Sequence, residues 1–245
     1  MQRKRFLHFV STFLFLLVLL HGSSCQSQET LHYKVVEPSL PLSAHPPVLF
    51  LLHGFGSNEM DLLSLSKSLP QNVLVVSVRA PFEREGGGYM WYDLQFGNGM
   101  FKENLEQANQ SKKKLNLLIE QIIKKYNVDT NSIFLGGFSQ GAITSLRVGL
   151  TPPRRFKGLV CLSGRFPDEI NTQQSPVSLK QRTHIFVSHG TMDAVIPITD
   201  GRRIINTLTQ HGFQIYGKEY AMQHQITNEV LNDLNTWMKT ELLRK

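Results

Sequence analysis

Short apolar runs alternate along this chain with segments of helical periodicity, and that alternation restricts the fold more than any other feature of the sequence. "PVLFLLHG" (Pro47–Gly54) is almost continuously apolar, the pattern of a strand buried on both faces of a parallel sheet. The next segment, "NEMDLLSLSKSLP", puts Leu62, Leu65 and Leu69 on one helical face, with Asn58 as its cap. "NVLVVSV", "SIFLGG", "GLVCLSG", "THIFVSHG" and "FQIYGKEY" are further strand candidates. A glycine- and aromatic-rich loop, "FEREGGGYMWYDLQFGNGMF", precedes a long helix predicted from about Asn104 to Tyr126. Helical patterns also cover about Asp200 to His211 and close the chain with Val230, Leu234 and Trp237. Strands alternating with helices give an α/β fold, a mostly parallel central sheet with helices on both faces. Active sites on such sheets lie at the carboxyl ends of the strands.

With 245 residues, 41% of them hydrophobic, the chain can bury the core of one large domain. Its first residues read differently. Arg3, Lys4 and Arg5 precede a short apolar stretch ending at Leu20, followed by small residues, which is the layout of an export signal over 1–24. Phe13 to Leu20 is the only unbroken apolar part, well short of the roughly 20 residues of a membrane span. Cys25 directly after the small residues resembles the lipid-modified cysteine of bacterial lipoproteins, although Gly22 stands where such signals usually carry leucine. Two fates follow: a lipoprotein of the outer membrane or cell surface, attached through its N-terminus only, or a cleaved protein in the periplasm or medium. Residues 25–46 then form a tether and first strand, and 47–245 the catalytic domain.

The formal charge of +7 falls to +4 without Arg3, Lys4 and Arg5. The run Lys112 to Lys114 lies on a helix whose other face carries Leu115, Leu118, Ile122 and Tyr126, so it reads as a solvated face and not a nucleic-acid patch. Of the two cysteines, Cys161 lies inside "GLVCLSG" and reads as a buried thiol, so no structural disulfide is expected. Neither H-E-x-x-H, nor paired cysteines, nor a phosphate-cradling loop occurs, so neither metal nor cofactor is expected.

The chemistry centres on "GGFSQGA". Ser139 stands between Gly137 and Gly141 at the junction of a strand and a helix. So tight a turn has no room for flanking side chains and pushes its central residue outward, where a serine hydroxyl meets substrate beside a helix N-terminus. A serine needs a base, and the base an orienting carboxylate. In a turn of this kind they follow in the order acid, then histidine. His224, in the loop after "FQIYGKEY", is favoured over His211, which precedes Gly212 at a helix C-terminus. Among the acids, Asp193 follows "THIFVSHG" directly, Asp168 is the runner-up after "GLVCLSG", and Asp200 reads as a charge in a helix's first turn. His189 and Gly190 are explained by a structural turn. Oxyanion donors are the N–H of Gln140 and, in the loop after the first apolar strand, that of Phe55.

The set "LLHGFGSNEMDL", "SVRAP", "GYMWYD", "GGFSQGA", "HGTMDAVIP" and "YAMQH" resembles the phospholipase/carboxylesterase family of α/β-hydrolases, which contains small carboxylesterases and acyl-protein thioesterases. The resemblance implies an α/β-hydrolase fold, a catalytic Ser139, Asp193 and His224, and an oxyanion hole from the N–H groups of Phe55 and Gln140. Two positions depart from it. Phe55 stands where leucine is usual, reshaping the acyl pocket while leaving the N–H in place, and Gln223 precedes the histidine where glycine is common. Trp91 and Tyr92 lie in a loop the family uses near its acyl site, where they line the pocket or, for Trp91 equally, belong to the core.

The expected function is an exported serine hydrolase acting on small carboxylic esters. Lysophospholipase or thioesterase activity is the alternative within the fold, and a non-catalytic binding protein the alternative of a different class. The N-terminal reading makes its own prediction. Mass spectrometry of the mature N-terminus should find either an acylated Cys25, with the protein in the membrane fraction, or an unmodified chain beginning near residue 25 in a soluble fraction; a retained Met1 would refute both.

Overall fold

The computed structural model describes residues 30–39, 43–97, 100–152 and 156–244. The export segment 1–24 and Cys25 lie outside them. Seven strands form one sheet in the order β1-β3-β2-β8-β9-β10-β11. These are β1 (Tyr33–Val36), β2 (Val48–Leu52), β3 (Leu74–Val78), β8 (Ile133–Phe138), β9 (Gly158–Leu162), β10 (His184–Gly190) and β11 (Gln214–Tyr220). All pairs are parallel except β1 with β3, which is antiparallel. Two small hairpins, β4 (Phe82–Glu83) with β5 (Tyr89–Met90) and β6 (Leu94–Gly97) with β7 (Met100–Glu103), stand apart from the sheet. The helices are α1 (Leu105–Tyr126), α2 (Gln140–Gly149), α3 (Val177–Arg182), α4 (Ile198–Gln210) and α5 (Asn228–Leu243).

The unbroken apolar runs take the interior places because both of their faces are covered. β2, β3, β9 and β10 are buried at every residue. Alternate side chains supply two cores. Phe50, Val76, Leu135, Cys161 and Val187 face α1, α2 and α4, meeting Leu118, Ile119, Leu146 and Ile204. Leu49, Leu51, Phe134, Val160 and Phe186 face α5, meeting Val230, Leu234 and Trp237 together with Leu62 and Leu69. Burial pushes the Cys161 thiol up to about 12, so it stays protonated among its apolar neighbours.

The expected order of the major strands and helices is present. The first strand expected within 25–46 is β1, which joins the main sheet by pairing with β3 from Tyr33 to Val36, with Leu31 already buried. The sheet therefore includes residues before 47. Three details differ. The segment after β2 winds as a 3-10 helix, Leu62–Ser68, with the Asn58 side chain accepting from the Met60 N–H at 2.9 Å ahead of it. The glycine- and aromatic-rich loop is folded into the two hairpins, and the short α3 was not anticipated. The helix at Asn104 begins as read, its side chain capping Gln107 N–H at 3.1 Å. No helix among the described residues is long and apolar enough to cross a membrane.

Phe186 tests the packing between sheet and α5. Its ring stacks on Tyr216 at 5.2 Å and meets Trp237 at 5.6 Å, with none of it exposed. Phe186→Ala should cost about 3–5 kcal/mol, read as a lower midpoint in urea denaturation; a loss below about 1 kcal/mol would contradict this packing.

Candidate active site

Phe55, Ser139, Gln140, Asp193 and His224 all lie at one end of the sheet, just beyond the carboxyl ends of β2, β8, β10 and β11. Ser139 lies between β8 and α2 with φ 55° and ψ −119°, a region that side-chain-bearing residues rarely enter. Its N–H is held by the Leu162 carbonyl at 2.9 Å, and its carbonyl accepts the Ile143 N–H at 3.1 Å. The bracketing glycines are needed for lack of space. A Cβ on Gly137 would stand 2.4 Å from the Leu52 carbonyl oxygen, and one on Gly141 only 2.0 Å from it. The turn is pressed against the end of β2, which brings the loop after β2 to the serine: a Cβ on Gly54 would lie 3.5 Å from Ser139 Cβ.

Asp193 and His224 meet directly, with Oδ2 to Nδ1 at 2.7 Å. The other carboxylate oxygen accepts the N–H groups of Val195 and Ile196, both at 2.9 Å. Burial alone would raise the Asp193 carboxyl. The hydrogen bonds from His224, Ile196 and Val195 outweigh it and hold the group below the usual carboxylate range. An ionised, oriented Asp193 fixes the His224 proton on Nδ1 and leaves Nε2 as the basic nitrogen. The two loops are tied along their backbones, since Thr191 N–H donates to Tyr220 O at 2.8 Å and Met192 N–H to Met222 O at 3.1 Å. Gln223 is not among the residues with positive φ, so its place before His224 does not call for glycine. The His224 ring packs 4.7 Å from that of Phe138, next to Ser139.

Neither the Phe55 nor the Gln140 N–H has a backbone carbonyl partner among the described residues. Gln140 N–H is the first of α2, where helix geometry leaves donors free. Both are therefore available for the charge of a tetrahedral intermediate. The loop carrying Phe55 is braced by two groups that the sequence did not reveal. His53 is fully buried, and its Nε2 accepts the Ala80 N–H at 3.0 Å, so the proton sits on Nδ1, 2.7 Å from the Gly54 carbonyl. Burial lowers the His53 pKa, keeping it neutral in that role. The Gln140 side chain clamps the neighbouring loop, accepting from Trp91 N–H at 2.8 Å and donating to Tyr92 O at 2.7 Å.

Trp91 and Tyr92 are both fully buried. The Trp91 indole N–H donates to the His53 carbonyl at 2.9 Å and the Tyr92 hydroxyl to Glu103 at 2.7 Å, so both support the site from behind. The other candidates lie elsewhere. Asp168 is exposed and paired with Arg203 at 2.8 Å, His211 binds the Thr172 hydroxyl at 2.7 Å where α4 ends, and Asp200 lies in the first turn of α4. His189 supports the acid turn, its Nε2 2.8 Å from the Ile196 carbonyl. No group of three or more His, Cys, Asp or Glu able to hold a metal occurs among the described residues.

Comparison with known proteins gives the family and the fold. A model of the phospholipase/carboxylesterase family matches residues 32–242. Acyl-protein thioesterase 1 of Yarrowia lipolytica is 27% identical over 217 residues, 82% of this chain and 94% of that protein. Acyl-protein thioesterase 1 of Debaryomyces hansenii is 31% identical over 132 residues, 52% of this chain; the match spans 57% of that protein, less than two thirds of its length. Among solved structures, the Bacillus cereus carboxylesterase superposes with a TM-score of 0.75 at 24% identity, covering 88% of this chain and 97% of that one, so the α/β-hydrolase fold is shared.

The elbow makes a stability prediction. Gly141→Ala should cost about 3 kcal/mol or more, because its added carbon would meet backbone that cannot move aside. Gly54→Ala, whose added carbon would come no closer than 3.4 Å to its neighbours, should cost less than about 1 kcal/mol. Equal urea midpoints for the two variants would contradict the contact with Leu52.

Proposed function

Since the chain belongs to the phospholipase/carboxylesterase family, we propose that it is a serine hydrolase of carboxylic esters that works through an acyl-enzyme on Ser139. The observation that carries this reading is the 2.7 Å bond between Asp193 and His224 beside a serine held at φ 55°. His224 Nε2 takes the proton of the Ser139 hydroxyl as Oγ attacks the ester carbonyl. Phe55 and Gln140 N–H stabilise the resulting oxyanion, and His224 returns the proton to the departing alcohol. Water, activated by the same imidazole, then releases the acid. Asp193 keeps the imidazole in the required tautomer and stabilises it while charged.

A thioester in place of the oxygen ester is the second reading, supported by the names of the relatives from Yarrowia lipolytica and Debaryomyces hansenii. A protein that only bound ligands at this site would have no use for the backbone strain at Ser139, which favours catalysis over binding alone. The place of action is part of the proposal. The basic and apolar residues of 1–24 support export, and Cys25 supports attachment to a membrane by lipid, with the domain on a short tether.

A fluorophosphonate should label Ser139, and Ser139→Ala should abolish both labelling and hydrolysis of p-nitrophenyl esters. His224→Ala should lower kcat by several orders of magnitude, and Asp193→Asn by a somewhat smaller factor. Asp168→Asn should stay within about twofold of wild type, as befits an exposed ion pair. Undiminished turnover in Ser139→Ala would sink the mechanism, and a damaging Asp168→Asn beside a mild Asp193→Asn would reassign the acid.

A further inference from the structure

The loop that carries the Phe55 N–H is bound to the β4–β5 hairpin. Gly56 N–H donates to Tyr89 O at 2.9 Å and Tyr89 N–H to Ser57 O at 2.8 Å. Two arginines flank this junction, and they are held very differently. Arg79 grips Glu59 with two hydrogen bonds of 2.5 and 2.6 Å and lies over the Tyr89 ring at 4.5 Å. Glu83, paired across the hairpin with Tyr89, is among the carboxylates that help to hold the Arg79 pKa up, after the dominant bond to Glu59. Arg84 is the next residue, just past the end of β4. Its guanidinium lies 5.3 Å from the centroid of the Phe55 ring, and Nη1 comes within 3.6 Å of the point where a side chain on Gly56 would begin. Among the described residues no carboxylate stands within ion-pair distance of it.

The backbone at Arg84 is fixed, its N–H donating to Gly88 O at 2.9 Å and its carbonyl accepting Gly87 N–H at 3.0 Å. Phe55 is 38% exposed. The result is an exposed guanidinium, with no ion-pair partner among the described residues, lying over the ring of the residue proposed above to donate its N–H to the oxyanion. Stacking on an aromatic face orients the planar fork and leaves its N–H edge free, and such a fork suits a carboxylate or phosphate. The departure from leucine at Phe55 supplies the ring that this arrangement needs.

We propose that Arg84 is a specificity-determining residue, which recognises a negatively charged group, carboxylate or phosphate, flanking the scissile ester of the substrate. This rests on the hydrolase reading above and narrows its substrates to anionic esters.

Two matched ester pairs test it in the full chain: p-nitrophenyl hydrogen glutarate against p-nitrophenyl butyrate, and 1-butyrylglycerol 3-phosphate against 1-butyrylglycerol. The first places the charge on the acyl side and the second on the alcohol side. The readout is the ratio of kcat/KM, anionic over neutral, within each pair. Arg84→Gln should lower that ratio at least about tenfold in one pair, the scale of a charge-assisted hydrogen bond. Arg84→Lys should restore part of it. Added salt should lower the wild-type ratio and leave that of Arg84→Gln unmoved. Ratios unchanged in both pairs, or anionic and neutral esters slowed alike, would overturn the role of Arg84. A wild type that hydrolysed none of the four esters would instead sink the hydrolase reading, and this one with it.

Discussion

At the end of β2 the Leu52 carbonyl oxygen leaves no room for a side chain on either glycine that brackets Ser139. Backbone touches backbone there, and the rest of the site is arranged around that contact. Leu52 and Gly137 are register partners in adjacent parallel strands, so the turn after β8 and the loop after β2 leave the sheet side by side. That adjacency brings the loop after β2 against the turn that carries Ser139, where a Cβ on Gly54 would lie 3.5 Å from Ser139 Cβ. With any larger residue at Gly141 the turn would lift away from β2, and the Phe55 and Gln140 N–H groups would separate. The positive φ of Ser139 is the cost of the same geometry, of the order of 1–3 kcal/mol, and a well-packed elbow can sustain it. α2 contributes to that packing, being buried along its whole length.

Loops so placed would still move unless their polar groups were satisfied. The structure meets this with buried side chains acting as backbone partners. His53, Gln140, Trp91 and Ser111 together bind the Ala80 and Trp91 N–H groups and the carbonyls of His53, Gly54, Trp91 and Tyr92. Each buried polar group left unpaired would cost about 1–3 kcal/mol, so alternative loop conformations that break these bonds are poorly populated. Rigidity at the oxyanion loop matters because preorganised donors stabilise developing charge without reorganising during the reaction.

How much of this could be read from the sequence follows from range. The interior strands, α1 and α5 were legible because each declares itself within a few residues, by continuous apolar character or by a 3.6-residue period. Ser139 was legible for the same reason, its glycines standing two positions away on either side. The geometry of Asp193 and His224 was reachable because both follow directly on strands, and the carboxyl ends of parallel strands converge. The support was not legible. Gln140 reaches residues 48 and 49 positions earlier in the chain, and His53 reaches one 27 positions later. No local pattern marks such pairs. A first strand was expected before residue 47, but its place in the sheet was not legible, because only its long-range pairing with β3 supplies it. The hairpins β4–β5 and β6–β7 were hidden inside a stretch whose glycines and aromatics read as loop.

Behind α2 the same logic is carried out with charge. Arg147 is almost fully buried, with Nη2 on Glu103 at 2.6 Å and Nε on Glu169, while Arg165 also reaches Glu103 at 2.6 Å and the Tyr92 hydroxyl reaches it at 2.7 Å. Burial by itself would lower the Arg147 pKa, and its carboxylates more than reverse that. A buried ion cluster is a poor source of net stability, because desolvation offsets most of the attraction. Its effect is geometric. It joins α2, the β6–β7 hairpin and the loop after β9 to the residue that follows Trp91. The backbone that Gln140 clamps from the site is therefore also anchored on its far side. The aromatic face of Phe55 and the guanidinium stacked on it stay outside this bracing, at the exposed edge of the oxyanion loop. A site built this way holds its reactive groups still and leaves discrimination among substrates to the rim.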